Sequence, residues 1–230
     1  MRTHKELTRQ NLTPLKAIEV LKEGNFRFVT ALNMDHDHLQ VINETKDGQW
    51  PYAAIVSCMD SRTSAELIFD QGLGDIFSIR LAGNVISENV LGSLEYACKV
   101  AGSKLIVVLG HTKCGAIKGA CDNVEMGNLT GLLHKIRPAV EGENTITENR
   151  TSSNADFVNK VTHLHVQNCV QDILAGSPIL KEMVSKGEIG LVPATYDIET
   201  GVVHFHPEGR YVREQEADKA VIASSNGIAH

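Results

Sequence analysis

The 230-residue sequence lacks any apolar run that approaches the roughly 18 residues needed to span a bilayer. It also lacks an excess of positive charge. The net charge of −6 and the pI of about 5.9 argue against nucleic acid or an anionic membrane surface as the main partner. Neither an internal repeat nor a low-complexity tract is present. With 42% hydrophobic and 22% charged residues, the composition is typical of a soluble globular protein.

Cysteine usage and the N-terminus bear on the compartment in which the protein works. Five cysteines are an odd number spread through a long chain, which does not fit a disulfide framework. The N-terminal residues MRTHKELTR are charged, but no apolar segment follows them, so this stretch is not a secretory signal. We therefore expect a cytoplasmic protein, or a periplasmic one if a signal peptide has been removed.

Short apolar runs alternate along the chain with segments of helical periodicity. The apolar runs predict strands over 53–57, 76–80, 105–109, 189–196 and 202–206. Helical spacing predicts helices over 14–32, 88–100, 114–123, 154–175 and 179–186. The last two strands are joined by a turn, so we expect them to pair antiparallel, whereas the strand–helix alternation elsewhere implies a mainly parallel sheet.

These patterns predict a single α/β domain over residues 1–230. We expect a mainly parallel sheet of four to five strands flanked by helices, with an N-terminal helical arm over 14–33 and a C-terminal tail over 209–230. Thr13 can cap the arm helix, and Pro14 suits its first turn. The arm is too amphipathic to stand alone, so it must pack against its own domain or against a partner subunit.

Two short motifs carry candidate metal ligands. Cys58 and Asp60 follow the first predicted strand, and His111 and Cys114 follow the third. Because sites in open α/β sheets form at the carboxyl ends of strands, both motifs are expected at the same edge. Two thiolates and one imidazole are good zinc ligands, and they leave a fourth position for water or, in a closed state, for the Asp60 carboxylate. Arg62 can hold that carboxylate ionised and aimed.

The remaining cysteines and histidines have simpler interpretations. Three cysteines are interpreted as small apolar core residues: Cys98, Cys121 and Cys169. His204 and His206 would lie on one strand face, but without a third ligand nearby a packed or solvated pair is the better interpretation. His163 and His165, two apart on a helix, point to different faces and cannot easily share an ion.

Taken together, the motifs resemble those of the β-class carbonic anhydrases. The matching segments are Cys58-x-Asp60-x-Arg62, Arg80-x-Ala-Gly-Asn84, Gly92-Ser-Leu-Glu-Tyr96-Ala and Gly110-His-Thr-Lys-Cys-Gly115-Ala-Ile. Residues 17–28 are also similar to that family's N-terminal helix, and the likeness covers most of residues 14 to 205. The resemblance implies a parallel sheet flanked by helices and a homodimer, often paired into tetramers.

The resemblance also implies a role for each residue of the site. Zinc falls on Cys58, His111 and Cys114, while Asp60 and Arg62 orient a zinc-bound hydroxide. Further positions match residues that contact the substrate. Gln49 corresponds to a bicarbonate hydrogen-bond donor, and the backbone N–H of Gly115 also matches a substrate contact. The lining of a small apolar CO2 pocket, supplied partly by the partner subunit, corresponds to Phe77, Ala82 and Tyr96.

The expected reaction is the reversible hydration of CO2 to bicarbonate and a proton, in which the zinc-bound hydroxide attacks the carbon. Hydrolysis of CS2 or COS would use the same site and stays open as an alternative. Outside enzymes, the alternative is a non-catalytic zinc-binding structural or regulatory protein. The presence of Gln49, Asp60 and Arg62 argues against it, since a purely structural site needs none of them.

One subgroup of the family has a second, inhibitory bicarbonate site built from a Trp, an Arg and a Tyr. Arg80 and Tyr196 match two of these positions, but Ile55 stands where the Trp would be, and the only Trp in the sequence is Trp50. We therefore expect no inhibitory site. Arg80 would then be free for a structural role, for instance bonding carbonyls of the loop at 81–84.

Overall fold

The computed structural model describes residues 12–34 and 37–213 and confirms an α/β fold built on a five-stranded sheet. The strands are β1 (Ala53–Cys58), β2 (Ile76–Leu81), β3 (Leu105–His111), β4 (Gly190–Tyr196) and β5 (Val203–Phe205). Their order across the sheet is β2-β1-β3-β4-β5. The first four strands run parallel, and β5 pairs antiparallel with β4, as predicted.

Helices cover both faces of the sheet. They are α1 (Pro14–Val29), α2 (His38–Thr45), α3 (Ala65–Ile68), α4 (Glu88–Glu95), α5 (Gly115–Cys121), α6 (Gly127–His134), α7 (Arg137–Gly142), α8 (Ala155–Gly176) and α9 (Pro178–Lys186). The predicted helix over 88–100 is α4 continued by a π turn, Tyr96–Val100. The short helices α3, α6 and α7 were not predicted, because helical periodicity is recognisable only over a longer window.

The central strands β1 and β3 are buried along their whole length. Both are runs of small and β-branched residues, which is typical of parallel strands covered on both faces. On one face Ala54 and Val56 pack with Val166 and Val170 of α8, while on the other Ile55 packs with residues of α1. The core therefore lies on both sides of the sheet and holds the carboxyl ends of β1 and β3 side by side.

The N-terminal helix α1 packs against its own domain. Its inner face, Ala17, Ile18 and Leu21, is buried in the cluster that includes β1 and β3. Thr13 caps the helix by accepting a hydrogen bond from Lys16 N at 3.2 Å, and Pro14 occupies its first turn, as the sequence predicted. Packing against its own domain, rather than against a partner subunit, therefore accounts for the buried face of this arm.

Polar contacts lock the C-terminal half of α1 onto the domain. The Asn25 amide donates to the carbonyls of Ile68 (3.1 Å) and Gly201 (2.9 Å) and accepts from Val203 N at 2.8 Å. Because this one side chain joins α1 to the end of α3 and to the start of β5, it ties three elements together.

Across the described residues, no helix combines the length and apolarity required to cross a membrane.

Candidate metal centre

Three potential metal ligands converge at the carboxyl edge of the sheet. Cys58 is the last residue of β1, His111 is the last residue of β3, and Cys114 immediately precedes α5. Their ligand atoms lie within 4.8 Å of one another, all three residues are buried, and the two sulfurs are 3.9 Å apart. Over residues 12–34 and 37–213, this is the only such group of His, Cys, Asp or Glu side chains. The predicted convergence is confirmed.

His111 is oriented as a metal ligand would be. Its Nδ1 lies 2.9 Å from the carbonyl oxygen of Thr112, so Nδ1 carries the proton and donates it. Its Nε2 is one of two buried side-chain polar atoms without a hydrogen-bond partner within the described part of the chain. A buried polar atom of this kind requires a partner, and a metal ion among two thiols supplies one. The residues present therefore fit a metal of the zinc type.

The two thiols are electrostatically coupled. The neighbouring Cys114 thiol and the N–H groups of Asp60 and Gly83 lower the pKa of Cys58. The same proximity to Cys58, together with burial, raises the pKa of Cys114. The two thiols therefore do not ionise independently of each other. Metal coordination would deprotonate both, because a coordinating thiol is deprotonated.

Asp60 and Arg62 form a bidentate ion pair beside the ligand group. Arg62 Nε donates to Oδ1 at 2.9 Å, and Nη2 donates to Oδ2 at 2.7 Å. These hydrogen bonds hold the pKa of the Asp60 carboxyl well below its usual range, so it is ionised. Both carboxylate oxygens are engaged by Arg62, and Asp60 is not part of the ligand group. Its role as a fourth ligand stays a prediction for a closed state.

Arg80 and Thr63 hold the turn that carries Cys58 and Asp60. Arg80 donates to the carbonyls of Cys58 (Nε, 3.2 Å) and Asp60 (Nη2, 2.6 Å). The Thr63 hydroxyl lies 3.0 and 2.9 Å from the same two oxygens. Arg80 was expected to bond carbonyls of the 81–84 loop, and that expectation was wrong. The parallel register places Arg80 beside Ser57 on β1, so its acceptors are carbonyls of the turn after β1. Sequence reasoning missed Thr63, since nothing in the motif distinguishes its hydroxyl from a surface one.

The loop between His111 and Cys114 is braced by the turn that joins β4 to β5. Thr112 N donates to Tyr196 O at 3.0 Å, and the Thr112 hydroxyl donates to Asp197 Oδ1 at 3.2 Å. That hydroxyl also accepts from Ile198 N at 3.1 Å. Because the Thr112 carbonyl is the acceptor for His111 Nδ1, these contacts fix the orientation of the imidazole. The sequence identified this turn only as a connection between strands.

The predicted substrate-contacting residues occupy different places. Gly115 is the first residue of α5, next to Cys114, and Ala82 directly follows Leu81, which pairs with Cys58. Gln49 is exposed in the segment before β1. The rings of Phe77 and Tyr96 stand edge to face with centroids 6.2 Å apart.

Phe77 and Tyr96 line an open groove between β2 and α4, and no metal ligand of this chain contributes to that groove. The structure thus places Gly115 next to Cys114 in the chain and Ala82 near Cys58 through the pairing of β2 with β1, and it places the aromatic pair in a groove of its own.

Three cysteines and the two histidines of α8 lie as predicted. Cys98, Cys121 and Cys169 are buried in the core. The ring centroids of His163 and His206 lie 4.3 Å apart, and His206 Nε2 is 2.7 Å from the Thr195 hydroxyl. No third ligand completes a metal group there within the described residues. His165 points elsewhere, toward the carbonyl of Gly83.

The sequence matches known proteins over most of its length. A family profile described as carbonic anhydrase matches residues 53–203. Carbonic anhydrase 2 of Mycobacterium tuberculosis is 39% identical over 193 residues, which cover 83% of this chain and 92% of that protein. The carbonic anhydrase of Mycolicibacterium smegmatis is 34% identical over 195 residues, covering 84% of this chain and 93% of that protein.

Solved structures show the same fold. The β-carbonic anhydrase CafA of Aspergillus fumigatus superposes with a TM-score of 0.66 at 25% identity, covering 82% of this chain and 89% of that chain. A structure from a study of two tetrameric β-carbonic anhydrases of Sordaria macrospora also gives a TM-score of 0.66, at 24% identity, covering 75% and 88% of the two chains. The second likeness concerns the fold alone.

Proposed function

The chain belongs to the β-class carbonic anhydrases, and from that premise we propose that it hydrates CO2 reversibly to bicarbonate and a proton at a zinc site formed by Cys58, His111 and Cys114. The observation that carries the metal assignment is the buried, unpartnered Nε2 of His111 beside two thiols. The Thr112 carbonyl orients the ring, and no donor occupies Nε2, so this nitrogen is free to coordinate a metal.

Two thiolates and one imidazole form a donor set that suits zinc. A zinc ion held there would act as a Lewis acid that makes a coordinated water acidic near neutral pH. The residues around the ligands adjust that property. The N–H groups of Asp60 and Gly83 both lie 3.4 Å from Cys58 Sγ, and they withdraw charge from a sulfur that would otherwise donate strongly to the metal.

Asp60 and Arg62 would orient the attacking water. An ionised carboxylate accepts the hydrogen of that water and directs an oxygen lone pair at the CO2 carbon. Arg62 holds the carboxylate in one orientation by donating to both of its oxygens, and it restrains Asp60 from moving onto the metal. The Arg80 and Thr63 contacts with the carbonyls of Cys58 and Asp60 keep this pair in register with the first ligand.

The substrate pocket is proposed to include residues of two subunits. Gly115 N–H and Ala82 lie near the ligands of their own chain, and we assign Gln49 to bicarbonate binding. Phe77 and Tyr96 line a groove at the sheet edge that contains no ligand of the same chain. This separation supports the proposal that the aromatic pair serves the site of a second copy in a homodimer.

One assay tests the reaction. CO2 hydration is measured by stopped flow, together with the zinc content of the same sample. We expect about one zinc per chain, rapid hydration, loss of activity on chelation and recovery on addition of zinc. CS2 and COS are assayed in parallel. Zinc-loaded protein that hydrolyses CS2 or COS but does not hydrate CO2 would contradict the proposal, and so would zinc-loaded protein inert toward all three.

A further inference from the structure

The short segment Ala82–Asn84 lies directly behind the first metal ligand. Gly83 N lies 3.4 Å from Cys58 Sγ and donates to it. Gly83 adopts φ 64° and ψ 20°, a left-handed conformation that favours glycine. A Cβ at this position would lie 2.8 Å from Ile136 Cδ1 and 3.0 Å from Ala116 Cβ. The Gly83 peptide is therefore held in a close-packed space, and its orientation decides whether Cys58 receives this hydrogen bond.

His165 holds Gly83 from the opposite side. It lies on α8, its exposed fraction is 2%, and its Nε2 is 2.8 Å from the carbonyl oxygen of Gly83. Burial lowers the pKa of His165, so the ring is neutral. Because its neighbour is a carbonyl acceptor, the proton of the neutral ring is on Nε2 and is donated to that oxygen. The same glycine thus accepts a hydrogen bond from His165 and donates one to Cys58.

The next turn of α8 supports the same segment. Cys169 lies one turn after His165, and its Sγ is 3.5 Å from His165 Nε2. Cys169 Sγ is also 3.6 Å from the carbonyl of Asn84, and the Asn84 amide lies 3.8 Å from that sulfur. His165 and Cys169, four residues apart on one face of α8, therefore contact both Gly83 and Asn84. This face of α8 is in contact with the segment that touches a ligand, although α8 contributes no ligand.

We propose that His165 is a positioning residue for the metal site, which acts through the Gly83 carbonyl to keep the Gly83 N–H against Cys58 Sγ. This inference rests on the proposed zinc site. Residues outside the ligand set that orient the ligands typically change metal affinity by about 10- to 100-fold when they are removed. His165 acts through one intervening residue, so we expect its loss to weaken zinc binding about tenfold.

The test compares variants at this position by two measurements. His165→Leu removes the donor at similar size, while His165→Gln keeps an amide N–H near the position of Nε2. Zinc affinity is measured at fixed pH by competition with a chromophoric chelator. Cobalt-substituted protein reports on the thiolates, because a thiolate that loses an N–H partner donates more strongly and shifts its charge-transfer band to lower energy.

We expect about tenfold weaker zinc binding and the shifted cobalt band in His165→Leu, and recovery of most of the affinity in His165→Gln. The control is Ser177→Ala, which removes a partly buried 2.6 Å hydrogen bond to Glu95 just after the C-terminal end of α8. It should lower stability without altering zinc affinity. If His165→Leu does not fold, His165→Asn takes its place, since its shorter amide does not reach the Gly83 carbonyl.

The outcomes separate this inference from the proposed function. Wild-type protein that binds no zinc would overturn both. Normal zinc binding in the wild type, with the same affinity in the Leu or Asn variant as in the Gln variant, would overturn the role of His165 alone. An equal loss of affinity in Ser177→Ala would also overturn it, because the effect would then reflect general destabilisation.

Discussion

At the scale of single residues, the structure separates the Asp60–Arg62 pair from the group of potential metal ligands. Asp60 contributes no ligand to the buried group, and both of its carboxylate oxygens are held by Arg62. A change at Asp60 should therefore leave the metal in place while it alters the orientation of the attacking water. A change at one of the three ligands should remove the metal itself.

We predict that Asp60→Asn retains zinc and loses about a hundredfold or more of its CO2 hydration rate. The amide fills the same space but carries no negative charge, and losses of this size are common when one positioned polar group is removed from an active site. Asp37→Asn is the matched control, because Asp37 caps α2 on the surface and Asn caps equally well. Hydration near the wild-type rate in Asp60→Asn would show that the pair is only a salt bridge.

We predict that Cys114→Ala does not retain stoichiometric zinc, because it removes one of two thiolates from a three-residue site. Cys98→Ala is the control. Cys98 is also buried, and burial raises the pKa of its thiol to about 12, so it is a core residue rather than a ligand. Metal analysis after gel filtration gives the zinc content of each protein. Full occupancy in Cys114→Ala would refute the ligand assignment.

We predict that bicarbonate inhibits only as a product. Ile55 is fully buried and has no polar atom, and the Arg80 guanidinium already bonds the carbonyls of Cys58 and Asp60. The hydration rate is measured against bicarbonate concentration at fixed pH. Simple competitive inhibition is expected. A cooperative, sigmoidal loss of activity that Arg80→Ala abolishes without loss of zinc would contradict this prediction.

At the scale of secondary-structure elements, the segment after β5 contains a pH-sensitive contact with α8. Burial, the neighbouring His163 and then His204 lower the pKa of His206 from 6.5 to about 4, while Glu208 acts in the opposite direction. As the pH falls from 6.5 toward 4, the unfolded chain takes up a proton here before the folded chain does. The free energy of unfolding therefore decreases as the pH falls from 6.5 to 4. Below pH 4 this group causes no further change, because His206 is then protonated in both states.

We predict that His206→Asn loses less stability than the wild type between pH 6.5 and pH 4. Urea unfolding of both proteins at several pH values in this window gives the difference, and the contributions of groups that do not interact with His206 cancel in the comparison. His134→Asn, on the exposed surface of α6, serves as the control and should follow the wild type. A parallel loss of stability in His206→Asn and the wild type would contradict the prediction.

At the scale of the whole molecule, the apolar surface argues for self-association. The inner face of α1 is covered by its own domain, so it no longer supports a dimer by itself. Large apolar side chains nevertheless remain exposed on the π turn that follows α4, among them Tyr96 (51%) and Val100 (71%). Patches of this kind mark interaction sites in soluble proteins. The open groove of Phe77 and Tyr96 lies on the same side of the sheet.

We predict a homodimer or a larger even-numbered assembly at micromolar concentration. Sedimentation velocity across a dilution series measures the assembly state, and hydration assays on the same samples measure activity. Because the Phe77–Tyr96 groove contains no ligand of its own chain, activity should fall when the assembly dissociates. A stable monomer with full activity would refute both the assembly and the shared pocket.

Local patterns in the sequence were sufficient to predict much of this protein. The five strands, the long helices and the Thr13 cap were recognisable because each depends on neighbouring residues alone. The convergence of Cys58, His111 and Cys114 was predictable because parallel strands place their carboxyl ends at one edge, whatever the details of packing. The short helices α3, α6 and α7 were not, since each is too brief to show a periodicity.

The sequence by itself thus determined the sheet, its direction and the residues that meet at its carboxyl edge. Only the tertiary structure decided how those residues are held: Gly83 and His165 are 82 residues apart in the sequence, and Thr112 and Asp197 are 85 apart. The acceptors of Arg80 depend on the register between β1 and β2, and the partner of α1 depends on which surface lies beneath it. Such contacts have no local signature, because they depend on where the fold brings distant backbone groups within hydrogen-bonding distance.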